Sequence, residues 1–374
     1  MTPFTPSTNP DGKQFYLCGF PVAHSASPDF HNYIFGLLRN GGYYQLHSTS
    51  KVTQKMLDML RKDDCGGSSV TMPIKVAIIP YLDGITPEGK ATGAVNTIVK
   101  VLNPATGKRE LIGTNTDFLG IRNALLRQLR AQHPSRTISP KDAFEPGTGS
   151  AMVIGGGATT RSAVHALHTL GLKPIFLVNR DKSEVEAVVE SFPHLKETLV
   201  HLDTVDPPST IDGKYVPPIL MIVGAIPAIS PKTPAERSVY TIATSVFTIP
   251  YTLTPPTPST PLPEGVLPLP TTRLFLEMAY KPRQTPMLKI ATALGWDTLD
   301  GIQAMIEQGL AQERMWKAGD ASMLVGSDGD GLEVGGRIDQ LAREMVERMG
   351  DVIVKEAEVD QALLDELPSV PAQA

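Results

Sequence analysis

The sequence predicts an α/β protein with two domains: an N-terminal α/β domain and a Rossmann-type domain built on a doubly wound parallel sheet. The chain has 374 residues, and a single hydrophobic core seldom grows beyond about 250 to 300 residues. Between residues 15 and 130, short apolar runs alternate with stretches of helical period, which is typical of a mostly parallel sheet covered by helices. After residue 150, a glycine-rich turn joins an apolar run to a helical segment, as in a β-α-β unit.

The composition excludes several classes of protein. With 41% hydrophobic residues, 20% charged residues and a formal net charge of -5, the chain has no basic field that would attract nucleic acid. Two cysteines, Cys18 and Cys65, exclude a disulfide framework or a thiolate metal cluster and favour a reducing compartment. No apolar run approaches the ~20 residues that span a bilayer, and residues 1–13 do not resemble a signal peptide. We therefore expect a cytoplasmic protein without a membrane partner.

The N-terminal domain is predicted over residues 1–140. Five apolar runs predict its strands, at 15–18, 43–46, 69–71, 96–101 and 111–112. Two stretches of helical period predict helices, at 30–38 and 53–61. Polar side chains follow these strands, and such positions are where open α/β sheets bind ligands.

Three of these polar residues suit proton transfer. Lys75 follows Pro73 at a predicted helix start, while Asn96 and Asp117 stand at neighbouring strand ends. Most lysines are simply solvated, but a cation at a helix start is disfavoured by the helix dipole, which points to a functional reason. A lysine near a carboxylate and a substrate hydroxyl can relay the proton as a hydride leaves the carbinol carbon. Lys75 and Asp117 are therefore the predicted catalytic pair.

The segment from Gly19 to Pro28 carries two hydroxyls two residues apart, on Ser25 and Ser27. In an extended or turn segment they face the same side, and together they suit a carboxylate. Alternatively, Ser27 caps a helix that begins at Pro28. The spacing alone does not separate these interpretations.

Residues 131–149 are rich in proline, serine, glycine and charge, and they predict a connection to the Rossmann domain at 141–285. There a strand at 151–154, a helix at 162–170 and a strand at 175–178 flank a candidate nucleotide turn. This turn comprises Gly155, Gly156, Gly157, Ala158, Thr159 and Thr160. It matches the G-x-G-x-x-G/A pattern with threonine at the third small position, so helix and strand are expected to pack slightly apart.

The second strand leads into Asn179, Arg180 and Asp181, where a dinucleotide-binding unit meets the adenosine ribose. An acidic residue there suits the 2'-hydroxyl of NAD, while an arginine suits the 2'-phosphate of NADP. Because Asp181 would repel a phosphate, NAD is the predicted cofactor and NADP the alternative.

The rest of the chain is less regular. Residues 226–272 contain eleven prolines around a strand-like run at 239–247, which predicts a surface excursion. A strand at 274–278 and helices at 287–294 and 301–317 follow, so residues 286–320 are predicted to form C-terminal helices. Residues 321–374 form an acidic tail with one amphipathic helix near 338–349, and partial disorder is expected.

Taken together, these motifs resemble the shikimate/quinate dehydrogenase family. They run in family order from about residue 15 to residue 319 and comprise Ser25-x-Ser27-Pro28, Val70-Thr71-x-Pro73-x-Lys75, Gly93-Ala94-Val95-Asn96-Thr97, Asn115-Thr116-Asp117, the glycine turn, Tyr280-x-Pro282, Gln308-Gly309 and Trp316. The fungal catabolic quinate dehydrogenases are the most similar group, on the strength of residues 178–185 and Glu277-Met278.

The resemblance implies roles for individual residues. Lys75 and Asp117 would be catalytic, and Ser25 with Ser27 would hold the substrate carboxylate. Thr71, Asn96 and Gln308 would hold ring hydroxyls, which implies that the C-terminal helices fold back over the cleft between the domains. The substrate would be quinate or shikimate, and the protein a monomer or homodimer.

Two other functions remain open at this point. A biosynthetic shikimate dehydrogenase would run the reverse reduction with NADPH, and Arg180 suits that cofactor. A quinate sensor without catalysis would be expected to have lost Lys75 or Asp117, and both are present. The glycine turn departs from the family's usual Gly-Ala-Gly-Gly-Ala, which is expected to weaken cofactor affinity.

Overall fold

The computed structural model describes residues 12–139, 141–211, 213–252, 262–323, 337–349 and 358–365. The chain divides into two compact units. The first contains the described residues of 1–116, 312–323 and 333–374, and the second contains those of 117–311. The first division therefore falls at Thr116/Asp117, before the predicted boundary at residue 140, because the helix that starts at Asp117 belongs to the second unit.

The first unit contains a mixed six-stranded sheet. Its strands are β1 (Gln14–Gly19), β2 (Tyr43–Ser48), β3 (Cys65–Val70), β4 (Gly84–Ile85), β5 (Thr97–Leu102) and β6 (Arg109–Thr114). Their order is β2-β1-β3-β5-β6-β4, and β5 runs antiparallel to both β3 and β6. Its helices among residues 14–114 are α1 (Ser27–Leu38), α2 (Gln54–Arg61) and α3 (Pro87–Thr92).

The second unit contains a parallel sheet of the Rossmann type. The helices of this region are α4 (Asp117–Gln132), α5 (Ala158–Thr169), α6 (Lys182–Glu190), α7 (Pro234–Thr248), α8 (Pro286–Ala293) and α9 (Gly301–Ala318). Its strands are β7 (Ser150–Ile154), β8 (Ile175–Val178), β9 (Leu199–His201), β10 (Thr210–Ile211), β11 (Lys214–Tyr215), β12 (Ile219–Gly224), β13 (Leu274–Glu277) and β14 (Asp297–Leu299). The six-stranded order β14-β13-β12-β7-β8-β9 is the doubly wound order in which β7 stands at the reversal. The predicted fold class is confirmed.

One predicted strand is wrong, because residues 239–247 lie inside α7. β-branched residues favour strands, but here they recur at helical spacing: Val239, Ile242, Ala243 and Val246 are all buried. The helix also begins with a capping box, in which Thr233 accepts from the Glu236 amide and the Glu236 side chain accepts from the Thr233 amide. The cap and the periodic burial together outweigh the strand propensity.

Two local predictions in the first unit are also wrong. Lys75 lies in a series of turns and does not begin a helix, because the next helical residues are a short 3₁₀ segment at Ile79–Tyr81. Ser27 does not cap α1, since it is the first helical residue and the cap position is Ala26 without a side-chain hydrogen bond.

The C-terminal part of the chain contributes α10 (Arg337–Glu347) and α11 (Gln361–Asp365), both within the first unit. The first confirms the predicted amphipathic helix, and the second was not predicted. Partial disorder was expected in the tail at 321–374, of which residues 324–336, 350–357 and 366–374 lie outside the described residues. In the described ranges, no helix has the length and apolarity to cross a bilayer.

Each unit contains one of the two tryptophans. Trp316 packs 4.9 Å from Phe15 in the first unit and donates from Nε1 to the Ile98 carbonyl at 3.0 Å. Trp296 donates from Nε1 to the Phe247 carbonyl at 3.0 Å in the second unit, with the Arg273 guanidinium 4.2 Å from its ring centroid. Both indoles are anchored in buried cores.

Candidate active site

The loops that follow β1 and β3 are tied together at one edge of the first sheet. The Phe20 amide donates to the Met72 carbonyl at 2.9 Å, and the Thr71 amide donates to the Cys18 carbonyl at 2.8 Å. Gly19 permits this approach, since a Cβ there would lie 2.7 Å from the Met72 oxygen. The turn that carries Ser25 and the loop that carries Lys75 therefore start from adjacent strands and are joined by hydrogen bonds.

Asn96 is fixed at the same edge by a set of buried hydrogen bonds. Its side-chain oxygen accepts from the Thr116 amide at 2.6 Å and from the Thr97 hydroxyl at 2.8 Å. Its side-chain nitrogen donates to Thr116 Oγ1 at 3.0 Å. A buried amide held by several partners has one orientation, so the side chain of Asn96 is fixed at this edge of the sheet.

Gln312 supports this network and was missed from the sequence. The Ser69 hydroxyl donates to Gln312 Oε1 at 3.1 Å, and Gln312 Nε2 donates to Thr97 Oγ1 at 2.9 Å. It lies one helical turn after Gln308 on α9, a helix that carries several other polar and charged residues, so its spacing gave no signal of these contacts. Gln312 therefore links α9 to the ends of β3 and β5.

The turn before α1 holds the two predicted serines. The Ser25 hydroxyl accepts from the Ser27 amide at 3.2 Å, and the Ser25 amide donates to the Val22 carbonyl at 2.9 Å. Asn32 anchors the following helix, because it exchanges two hydrogen bonds of 2.8 Å with the main chain of Tyr44 on β2. The serines thus sit on a turn whose exit is fixed to the sheet.

A buried acid lies behind this turn. His31 Nδ1 is 2.6 Å from Glu313 Oε1, and both side chains are almost fully buried. Burial raises the pKa of Glu313, while the hydrogen bond and charge of His31 partly offset this. The His31 ring also stacks on Tyr44 at 4.4 Å. The pair joins α1 to α9 and lies in the aromatic core.

The predicted site residues are divided between the two units. Ser25, Ser27, Thr71, Lys75 and Asn96 lie in the first unit. Lys75 is half-buried, and its carbonyl accepts from the Val95 amide at 2.9 Å.

Asp117 and Gln308 lie in the second unit, where Asp117 occupies the first turn of α4. A Cβ at Gly120 would lie 3.0 Å from the Cβ of Gln308. Since Gly120 follows Asp117 by less than one turn, the absence of a side chain there allows α9 to bring Gln308 close to the start of α4.

The glycine turn of the second unit lies between β7 and α5, as predicted. Gly155 has φ +141°, and a Cβ there would lie 2.7 Å from Thr160 Oγ1 and 2.7 Å from the Ala225 carbonyl. Thr160 is buried under the turn. Gly157 is the N-cap residue of α5 and has no heavy atom within 4 Å of an added Cβ. The turn therefore leaves open space at a helix N-terminus, which suits a pyrophosphate.

A cavity of about 230 Å³ opens beside this turn. Asn179, Arg180, Glu184, Glu236 and the three glycines are among its lining residues. Asn179 Nδ2 donates to Glu184 Oε2 at 2.5 Å, and Arg180 pairs with Glu236 Oε1 at 2.5 Å. The sequence analysis did not identify either glutamate. Glu236 lies in the first turn of α7, and residues 239–247 of that helix were predicted as a strand.

Asp181 is the N-cap residue of α6. Its carboxylate accepts from the Ser183 amide at 2.8 Å and from the Ser183 hydroxyl at 2.7 Å, so it caps α6. These hydrogen bonds lower the pKa of Asp181. The carboxylates that line the cavity belong to Glu184 and Glu236.

Glu277 is a buried carboxyl at the carboxyl end of β13. It accepts from the Thr285 hydroxyl at 3.0 Å, and an added Cβ at Gly224 would lie 3.0 Å from it. Burial raises its pKa from 4.5 to about 7, although the hydrogen bonds from Thr285 and nearby amides act against the shift. A group that titrates near neutrality thus stands at the ligand-binding edge of this sheet.

Comparison with known proteins finds a family match within the first unit. Residues 17–98 match the family model of the shikimate dehydrogenase substrate binding domain. A solved structure of the dehydroquinate dehydratase and shikimate dehydrogenase from S. pombe is 26% identical, with a TM-score of 0.64, and the match covers 90% of this chain and 53% of that chain. This chain therefore spans about half the length of that protein.

Two smaller proteins match along nearly their whole length. A shikimate 5-dehydrogenase from Thermus thermophilus, solved with NADP(H) and shikimate, is 23% identical over 89% of this chain and 99% of that chain, with a TM-score of 0.56. A quinate dehydrogenase from Corynebacterium glutamicum, solved with NAD, is 21% identical over 90% of this chain and 98% of that chain, with a TM-score of 0.58. At these identities the two structures establish the fold. Both of these structures contain a nicotinamide cofactor, NADP(H) in the first and NAD in the second.

Proposed function

We propose that this protein is an NAD-dependent dehydrogenase that oxidises a ring hydroxyl of quinate, or of shikimate, to the 3-dehydro acid. The observation that carries the proposal is the polar edge of the first sheet. There, buried hydrogen bonds fix Asn96 near the loops of Ser25 and Lys75, which are themselves joined by main-chain hydrogen bonds. This edge lies in the unit whose residues 17–98 match a shikimate dehydrogenase substrate binding domain. A cytoplasmic monomer or homodimer is part of the same proposal.

Each site residue has a proposed role. Ser25 and Ser27 hold the substrate carboxylate through their hydroxyls. Thr71, Asn96 and Gln308 bind ring hydroxyls and so choose which carbinol reacts. Lys75 and Asp117 are the catalytic pair.

Oxidation of a carbinol removes a hydride from carbon and a proton from oxygen. When bound, the nicotinamide cofactor supplies the hydride acceptor. Lys75 takes the hydroxyl proton as the C–H bond breaks, and the carboxylate of Asp117 orients that hydroxyl. In the reverse reduction the Lys75 ammonium returns the proton, so the same residue serves both directions.

The residues of the second unit fit a dinucleotide. Gly155, Gly156 and Gly157, with the start of α5 at Ala158–Thr160, would hold the pyrophosphate, because the turn leaves open space at a helix N-terminus. Asn179 and Arg180 border the adjoining cavity, where the adenosine would bind.

The charges of the cavity favour NAD over NADP. Arg180 is paired with Glu236, so its charge is already compensated. Glu184 also lines the cavity, and a 2'-phosphate would meet two carboxylates there. In this proposal Glu184 and Glu236 take the role that the sequence had indicated for Asp181.

The first experiment follows reduced-nicotinamide absorbance with purified protein, testing quinate and shikimate separately against NAD and NADP. Turnover of quinate with NAD is the expected result. Shikimate turnover with NADP would instead favour the biosynthetic alternative, which the position of Arg180 supports. Tight binding of quinate without turnover in any combination would contradict the proposal and indicate a sensor.

The role of Glu236 has its own test. Glu236→Gln should free Arg180 and shift the ratio of kcat/KM for NAD and NADP roughly tenfold toward NADP, as expected from releasing one charge-assisted hydrogen bond. Glu190→Gln, an exposed acid on α6, is the charge-matched control. An unchanged ratio in Glu236→Gln would remove Glu236 from cofactor selection.

A further inference from the structure

The C-terminal segment at 358–365, which we call the strap, binds along the first unit through three acidic side chains. Glu358 Oε1 accepts from the Val22 amide at 2.7 Å and from the Ser48 hydroxyl. Asp360 Oδ1 accepts from the Ser50 amide at 2.9 Å. The strap therefore contacts the turn after β1 and the end of β2.

Its third acid contacts the start of α2. Asp365 accepts from the Thr53 hydroxyl at 2.9 Å and pairs with Lys55 Nζ at 3.0 Å. Ala362, between the acids, is fully buried, and Asp360 is 9% exposed. Along the strap, the three acids thus accept hydrogen bonds from residues 48, 50 and 53 in the same order as these residues follow in the chain. This order defines one register for the bound segment.

The contact of Glu358 falls on the turn that leads to Ser25 and Ser27. Val22 is buried, and its carbonyl accepts from the Ser25 amide at 2.9 Å. The Val22 residue is therefore held from both sides, by Ser25 within the turn and by Glu358 from the strap. Removing Glu358 would leave the Val22 amide without this acceptor.

The helix that follows the serines is covered by the same part of the chain. α10 packs against α1, which begins at Ser27. Asp339 of α10 forms a buried ion pair of 2.9 Å with Arg314 of α9. The C-terminal part of the chain therefore contacts both the entry and the exit of the Ser25–Ser27 turn.

We propose that Glu358 is a positioning residue, and that the strap holds the Ser25–Ser27 turn in the conformation that receives the carboxylate of the substrate. The inference rests on the proposed function, because it assigns the turn to a carboxylate substrate. The strap does not contact the reacting atoms in this proposal, and it acts through the Val22 amide.

The charge of Glu358 also supports a strong contact. Burial raises its pKa, but hydrogen bonds from Ser48 and the amides of Val22 and Ala23, with the nearby charge of His24, outweigh that effect and lower it below the usual value. Charge-assisted hydrogen bonds to a carboxylate are about twice as strong as neutral ones. The contact is therefore formed with the ionised side chain at neutral pH.

The test compares Glu358→Gln with two other variants in the full chain. Glu358→Gln should raise KM for the acid substrate roughly tenfold and leave kcat nearly unchanged, which corresponds to losing one charge-assisted hydrogen bond. Asp365→Asn loosens the strap at α2, away from the turn, and should change KM less. Leu363→Ala, whose side chain is 59% exposed on the strap, is the control and should behave as wild type.

Two outcomes would overturn the proposal. An unchanged KM in Glu358→Gln would show that the strap only stabilises the fold. A lower KM would show that the charge of Glu358 repels the anionic substrate and that the strap inhibits binding.

Amide hydrogen exchange tests the docking without any substrate. The Val22 amide should exchange more slowly in the wild type than in Glu358→Gln, because the variant offers it a neutral and weaker acceptor. Equal exchange rates would contradict the docking. If the wild type turns over neither quinate nor shikimate, the proposed function fails, while the exchange result still reports on the strap.

Discussion

The two units assemble their candidate sites in different ways. The second unit takes most of its candidate nucleotide-binding residues from one continuous β-α-β segment, residues 150–181. The first unit collects its polar edge from distant parts of the chain, including partners separated by 243 residues at Ser69 and Gln312 and by 336 residues at Val22 and Glu358. A local motif shows in sequence spacing, whereas a site assembled by the fold shows only in the structure.

The largest expected effect comes from removing Lys75, a first-unit residue whose role the sequence did indicate. Lys75→Ala should reduce turnover of quinate by ~10²- to 10⁴-fold, the usual contribution of a general acid-base group, with a smaller change in KM. Steady-state kinetics would measure both. Lys90→Ala, an exposed lysine on α3, is the control, and near-normal turnover of Lys75→Ala would exclude it from proton transfer.

The second unit should respond to pH through Glu277. Since its folded pKa is raised from 4.5 to about 7, the folded state binds the proton more tightly than the unfolded state. Protonation of Glu277 therefore stabilises the folded state by roughly 3 kcal/mol below the unfolded pKa. This contribution to the free energy of unfolding is lost as the pH rises to about 7.

Chemical denaturation at pH 5 and pH 7.5 measures this effect. The free energy of unfolding of the wild type should fall between these values relative to Glu277→Gln, which has no titrating group there. Parallel changes in both proteins would show that Glu277 does not titrate in this range.

Removal of Gln312 tests whether distant residues organise the first site. Gln312→Ala removes the acceptor of the Ser69 hydroxyl and the donor to Thr97 Oγ1, so the free energy of unfolding should fall by about 1–3 kcal/mol. The KM for substrate should also rise, because Thr97 holds the Asn96 side chain. Lys317→Ala, exposed on the same helix, is the control. A stability loss with an unchanged KM would show that Gln312 stabilises the fold but does not organise the substrate site.

The smallest expected effect concerns the local motif. Gly157→Ala should leave the free energy of unfolding almost unchanged, because among the described residues no heavy atom beyond its chain neighbours lies within 4 Å of the added Cβ. It should weaken NAD binding about tenfold if the pyrophosphate occupies that space. Calorimetric titration with NAD measures this, and an unchanged Kd would place the cofactor elsewhere.

The sequence predicted the fold class and the glycine turn because both depend on local periodicity and spacing. It failed at residues 239–247, where β-branched composition concealed a helical pattern and a capping box. That error also concealed Glu236, which reaches the nucleotide cavity only because α7 is a helix.

The contacts of Gln312 and Glu358 could not be predicted for a different reason. Both side chains act across the fold, and neither lies in a motif whose spacing indicates a partner. In the tail, acidic composition suggested disorder, but composition does not show whether a segment has specific donors to bind. Those donors are backbone amides and hydroxyls on β2, on the loop that follows it and on the turn after β1, and they are aligned only after the sheet has formed.

The separate burial of Trp296 and Trp316 has a practical consequence. Each unit carries its own intrinsic fluorophore, and each indole moves from an apolar core to water when its unit unfolds. Trp296→Phe would leave emission from the first unit alone, and Trp316→Phe would leave emission from the second. Comparing the two melting curves would show whether the units unfold as one cooperative system or in succession.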